Sequence, residues 1–148
     1  MRALLAAAAL LATGCAKAED AGLTRMGREV VTEMNRLGIV IDMSHAGERS
    51  TLEAIDASAR PVTVSHANPK AWHDCPRNLS DAVLKMLAGR GGMLGFSLYP
   101  HHLQGGSGCT LQDFCEMVAR TVDVMGIDNI GIGSDLCQDQ PHRIVERT

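Results

Sequence analysis

Three short apolar runs in this sequence end on a side chain that can bind a metal or move a proton. His45 stands two residues beyond Met43, where the run Ile39-Val40-Ile41-Asp42-Met43 gives out. His66 directly follows Val62-Thr63-Val64-Ser65, and Asp135 directly follows Ile130-Gly131-Ile132-Gly133-Ser134. Neutral imidazole nitrogens suit zinc or a similar divalent ion. A carboxylate beside such an ion can shuttle a proton between an attacking water and a leaving amine. Arg77, eleven residues past His66, carries a planar fork that matches a substrate carboxylate, although a surface salt bridge is the commoner use of an isolated arginine. A single histidine at a strand end is more often a capping or loop residue. Two of them on consecutive strands, with an aspartate on a third, leave the structural and the metal-binding readings both open on architecture alone. His101 and His102 follow another apolar run and are read first as loop residues that lie on the same side.

The elements that position these groups are legible from periodicity. Met26, Val30, Met34 and Leu37 recur at helical spacing, with Gly38 as a stop. Ile39–Met43 reads as a short buried strand, Glu48–Ser58 as a helix with Leu52 and Ile55 on one face, and Val62–Ser65 as a second strand. Asn78 or Ser80 can cap a helix that runs through Leu87 and is ended by Gly89. Gly92–Leu98 is a third strand. Thr110 with Asp113 resembles a capping box opening a helix striped by Phe114, Met117, Val118, Thr121, Val122 and Met125, which stops at Gly126. Ile130–Ser134 is a fourth strand. Short apolar strands separated by helices imply a parallel sheet with crossover connections. Both an open doubly wound sheet and a (β/α) barrel satisfy that order. No G-x-G-x-x-G follows any strand, which weakens the dinucleotide-binding option. Four such units over about 125 residues make half of a TIM-type barrel, which typically needs roughly 250. In parallel α/β folds the carboxyl ends of strands, where the polar groups stand, are where sites are assembled.

Composition narrows the function classes. The formal charge of -3 supplies no basic footprint, and an aromatic content of 3% leaves too few rings for base-stacking platforms, so nucleic acid is set aside. Five cysteines without C-x-x-C spacing are read as free and mostly buried thiols. Residues 1–21 form a separate leader segment in which Arg2, an apolar stretch from Ala3 to Ala12, and Thr13-Gly14-Cys15 outline a short signal ending on a lipoprotein-type cysteine. Membrane attachment is expected only if Cys15 is such a cysteine. The protein is then periplasmic or lipid-anchored, and otherwise cytoplasmic.

Gly22-Leu23-Thr24 through Asn35-Arg36-Leu37-Gly38, Ile41-Asp42-Met43-Ser44-His45, Pro61-Val62-Thr63-Val64-Ser65-His66-Ala67-Asn68, Pro76-Arg77-Asn78 and Gly131-Ile132-Gly133-Ser134-Asp135 together resemble the membrane dipeptidase (renal dipeptidase) family of zinc peptidases. The resemblance runs from about Gly14 to Pro141. It implies a (β/α) barrel with two zinc ions and a dipeptide substrate. By position, His45 and His66 are similar to the imidazole pair of one zinc, Arg77 to the residue holding the substrate's terminal carboxylate, and Asp135 to the acid/base. The family's remaining ligands are a His-x-Asp pair and a bridging Glu from the first half of the barrel, which also carries a further oxyanion-binding His. No His-x-Asp occurs here. The expectation is therefore the carboxyl-side half of a metallo-dipeptidase barrel over residues 22–148, a fragment holding one imidazole pair of a two-zinc site. Gly14-Cys15 and Asp20 resemble the family's loop before Gly-Leu-Thr, which favours an internal start over a lipoprotein signal. Two other readings stand beside it. One is a catalytically inactive half barrel that associates with another half, homo-oligomerisation included. The other is a mononuclear amidohydrolase-like enzyme using His45, His66 and Asp135.

Overall fold

A computed structural model describes residues 20–136. Cys15, Cys137, His142 and all but the last two residues of the expected leader lie outside that range. Helices and strands run in the order α1 (Arg25–Leu37), α2 (Glu48–Ala57), β1 (Thr63–Ala67), α3 (Asp81–Gly89), β2 (Met93–Phe96), α4 (Leu111–Met125) and β3 (Ile130–Ile132). The strands form one parallel sheet in the order β1-β2-β3, with Val64 opposite Leu94 and Leu94 opposite Ile130. The chain is α/β, and successive helices pack side by side, α1 on α2, α2 on α3 and α3 on α4.

The expected first strand, Ile39–Met43, is reduced to a single parallel bridge between Asp42 and Thr63, so the described sheet has three strands and not four. Two ladder bonds form, Thr63 N–H to Ile41 O and Met43 N–H to Thr63 O. The next would join Ser65 N–H to Met43 O, but Ser65 N–H donates to the Asp42 side chain at 3.0 Å and Met43 O is taken by Ala46 N–H. A carboxylate has replaced a carbonyl at the point where the strand turns toward His45.

The helix ends follow the capping chemistry legible in the sequence. Thr24 Oγ1 accepts Gly27 N–H, and Gly38, at φ 73°, closes α1 with Ile39 N–H reaching back to Met34 O. Thr110 and Asp113 make both arms of a capping box on α4. Ser80 caps α3 through Val83 N–H; Asn78, the other candidate, is buried elsewhere. The turn after α3 is made by Gly91, at φ 67°, and not by Gly89, which is still helical. Gly47 gives α2 no side-chain cap, and the role falls to Asp20, whose carboxylate accepts Arg49 N–H, Ser50 N–H and the Ser50 hydroxyl. Burial works against that charge, but these bonds outweigh it and hold the Asp20 carboxyl below its ordinary range.

The core is aliphatic: Val31, Ile41, Ile55, Val64, Val83, Leu84, Leu87, Leu94 and Met117 are fully buried around Phe96. On α1 the buried stripe is Gly27, Val31 and Met34, turned about one position from the expected one, so that Met26 and Leu37 are exposed. The stripe was misphased because Gly27 carries no apolar signal and yet supplies a contact face. Among the described cysteines Cys109 is buried, Cys75 half-buried and Cys115 exposed, so the expected burial holds for one of the three. Cys115 lies on the solvent side of α4, two residues before Met117. No helix among the described residues is long and apolar enough to cross a membrane.

Candidate active site

His45 and His66 meet. Their Nε2 atoms are 3.0 Å apart, with the ring planes inclined at 63°. Asp135 Oδ1 lies 3.9 Å from His66 Nε2. Arg77 joins them from the loop after β1 and donates from Nη2 to the His66 carbonyl at 3.2 Å. All four sequence candidates therefore occupy one region on the carboxyl-end side of the sheet, with His66 inside β1, which runs on to Ala67, and not just past it as the sequence suggests. His45 and Asp135 are also the non-glycine residues in the described range with positive φ, 69° and 57°. Left-handed backbone is costly for a side-chain-bearing residue and tends to gather at functional sites.

The fields within this region overlap. Burial, then the Arg77 guanidinium and His66, push the His45 imidazole below its ordinary pKa, while Asp135 and Asp42 pull the other way. A neutral ring with a free lone pair is the form that binds a cation. His102, read first as a loop residue, is buried in the turn after β2, with Nδ1 2.9 Å from Ser97 Oγ. Burial, then Arg77, lower its pKa to about 4, with Asp135 opposing and the two site histidines reinforcing the shift. His101, its neighbour, is exposed beside Tyr99.

A pH dependence follows from His102. Between about 4 and its ordinary 6.5 the unfolded chain binds a proton that the folded chain refuses, so stability rises with pH across that window and falls on acidification. Urea unfolding across that window is expected to show this loss. His102→Gln, which keeps a hydrogen-bonding side chain that does not titrate, is expected to lose less.

Two supports were not assigned roles from sequence. The first is Asp42 with Ser44 and Ser65, beneath the imidazole pair. Burial pushes the Asp42 carboxyl up, but the Ser65 hydroxyl, the Ser44 and Ser65 amides and the Ser44 hydroxyl outweigh it and keep it below its usual range. The second is a buried set of Asn68, Asn78, Ser97 and His102, which ties the loop after β1 to the end of β2. Asp42, Ser44, Ser65, Asn68 and Asn78 stand in the Asp-Met-Ser-His, Val-Ser-His-Ala-Asn and Pro-Arg-Asn segments, Asn78 also as a cap candidate, whereas Ser97 ends the third apolar run and His102 reads as a loop residue.

Two imidazole nitrogens about 2.0–2.1 Å from one zinc would themselves lie roughly 3 Å apart, so the pair fits a shared cation. It supplies only two donors. Among the described residues no group of three or more His, Cys, Asp or Glu is arranged to hold a metal ion.

Known proteins share this arrangement of sequence and fold. A crystal structure of an amidohydrolase from Pseudomonas aeruginosa is 41% identical with a TM-score of 0.82, the match covering 90% of this chain and 41% of that one. A metallo peptidase from Rhodobacter sphaeroides, solved with a phosphinate mimic of the dipeptide L-Ala-D-Ala, is 31% identical with a TM-score of 0.74 over 78% of this chain and 34% of that one. An uncharacterized dipeptidase of Schizosaccharomyces pombe is 33% identical over 118 residues, 78% of this chain. The chain spans only 28% of that relative's length. The sequence profile of the membrane dipeptidases, peptidase family M19, matches residues 2–143, which takes in the imidazole pair, Arg77 and Asp135. The chain belongs to the membrane dipeptidase family.

Proposed function

We propose that this chain carries the carboxyl-side half of the active site of a zinc-dependent dipeptidase, built as part of a (β/α) barrel. The observation that carries the reading is the 3.0 Å approach of the His45 and His66 Nε2 atoms, one in the turn after the Asp42–Thr63 bridge and the other near the end of β1, with a guanidinium and a carboxylate beside them. The side-by-side order of helices outside a parallel sheet supports a barrel sector. His45 and His66 are the residues that would hold a zinc ion, and such an ion would need further donors beyond this pair. When bound, that ion supplies Lewis acidity and a water acidified toward neutrality.

The chain's own groups do the rest. Arg77 receives the terminal carboxylate of the dipeptide, which fixes the scissile amide relative to the imidazole pair. Asp135, within 3.9 Å of His66, takes a proton from the attacking water and returns it to the leaving amine. Such a site distinguishes a dipeptide from a longer chain because the carboxylate it grips lies one residue beyond the scissile bond.

Calorimetric titration with zinc and hydrolysis of Gly-D-Ala test this reading. Zinc is expected to bind the chain, and His66→Ala to abolish that binding. A wild-type chain that takes no zinc overturns the metal assignment in favour of an inactive association module. Zinc binding without dipeptide turnover, once a first-half segment bearing His-x-Asp is supplied, overturns the substrate assignment. In the turnover assay Arg77→Lys keeps the charge and loses the fork. It is expected to lower kcat/KM by about 10–100-fold, mostly through KM, since a charge-assisted pair contributes roughly 1.5–3 kcal/mol.

A further inference from the structure

The hydrogen bonds beneath His66 decide where the Ser65 proton goes. Asp42 Oδ1 accepts Ser44 N–H at 3.0 Å, the Ser44 hydroxyl at 2.8 Å and Ser65 N–H at 3.0 Å. Asp42 Oδ2 accepts the Ser65 hydroxyl at 2.6 Å. Four donors thus converge on two oxygens, which is the setting of an ionised, acceptor-only carboxylate. A hydroxyl has one proton, and Ser65 spends its own on Asp42. The Ser65 oxygen also lies 2.8 Å from His66 Nδ1, so that contact is a hydrogen bond only if Nδ1 brings the hydrogen. Ser44 has likewise given its proton to Asp42, and its oxygen accepts His66 N–H at 3.2 Å. The 3.1 Å Ser44–Ser65 oxygen contact is then between two acceptors already satisfied.

We propose that Asp42, acting through Ser65, is a positioning residue that holds His66 as the Nδ1–H tautomer. The Nε2 lone pair is thereby kept bare toward the point it shares with His45. The tautomer stands on the hydrogen bonds alone; its use as a metal donor rests on the dipeptidase reading. Ligating histidines characteristically have their second nitrogen fixed in this way, and loss of such a partner weakens metal binding about 10–100-fold.

Asp42→Asn makes a specific reversal. Oδ1 receives two backbone amides and must remain oxygen, so the new NH2 group stands where Oδ2 was and donates to Ser65. The Ser65 hydroxyl is then released to donate to His66 Nδ1, and the ring proton moves to Nε2. The experiment is a long-range ¹⁵N–¹H correlation spectrum of the full chain, labelled at histidine, without metal and at about pH 8, where imidazoles are neutral. His66→Gln identifies the resonances. Wild type is expected to show a protonated Nδ1 and a bare Nε2, Asp42→Asn the reverse, and Ser65→Thr the wild-type pattern. Ser65→Ala, which leaves the carboxylate in place, is expected to lose the Nδ1–H preference and carries the test if Asp42→Asn does not fold. An Nε2–H ring in wild type, or a tautomer unmoved by Asp42→Asn or by Ser65→Ala, overturns the proposal. Zinc affinity measured on the same proteins separates the two readings. The expected result is a 10–100-fold loss in Asp42→Asn. A wild type with the Nδ1–H pattern and no zinc binding sinks the dipeptidase reading and leaves the tautomer lock standing.

Discussion

Asn68→Leu is expected to lower the unfolding free energy by about 2 kcal/mol, although the two side chains share a branched shape and the new one is apolar. Asn68 is fully buried and uses both ends of its amide. Its Nδ2 donates to Ser97 O at 3.0 Å and to His102 O at 3.1 Å, and its Oδ1 accepts Ser97 N–H at 3.1 Å. Leucine would take the side-chain donor from Ser97 O in the interior, leave Ser97 N–H to Ala67 O at 3.3 Å, and leave His102 O to Asn78 Nδ2. Each buried group left without a partner costs roughly 1–3 kcal/mol, which sets the total. Asn68→Asp keeps the acceptor, loses the donors and buries a charge, so it should be no better. A urea midpoint shifted by less than a quarter of this amount, at an unchanged slope, would show that the network reorganises around the gap.

Gly133→Ala should cost about 3 kcal/mol, at the upper end for an overpacked site, because the obstacle is backbone. A methyl there would overlap the Ser65 carbonyl oxygen, and the same is true at Gly95 on the neighbouring strand. The register between β1 and β2 shifts between Val64 and Ala67, which accompanies this close approach of Ser65. Ser65 cannot retreat without dragging His66 and the Asp42 bonds with it. Gly131→Ala, two residues earlier in β3, is the comparison. A Cβ there meets only the Met93 sulfur at 3.4 Å, at the end of a flexible side chain. Unfolding of the two variants should differ by about 2 kcal/mol or more, and equal midpoints would refute the steric argument.

These supports show where reading the sequence stopped short. Among the described residues, periodicity and capping located the four α-helices and the three strands, because helix ends and apolar runs are written in neighbouring residues. The imidazoles and the carboxylate were legible for a similar reason: each stands one or two residues past an apolar run. Asp42 was counted inside an apolar run, and what it does depends on an amide twenty-three residues away. Asn68 and Asn78 look like ordinary turn residues until burial is known. His102 and His101 are adjacent and chemically identical, and only the turn after β2 decides that one is enclosed and the other wet. The stripe on α1 failed in another way, since a glycine that makes contact through its backbone is silent in any hydropathy pattern.

The Asp20 contact has a mechanical consequence. The first turn of α2 borrows its cap from a residue about thirty positions upstream, and Gly47, where the helix begins, is two residues after His45. A methyl on Gly47 would strike the Asp20 carboxylate, so the two segments are seated directly against each other. Tension or release applied at position 20 is therefore transmitted through one carboxylate to the turn between Met43 and Gly47 that aims an imidazole, and the aim of that ring is fastened from behind, through the first turn of the helix that follows it.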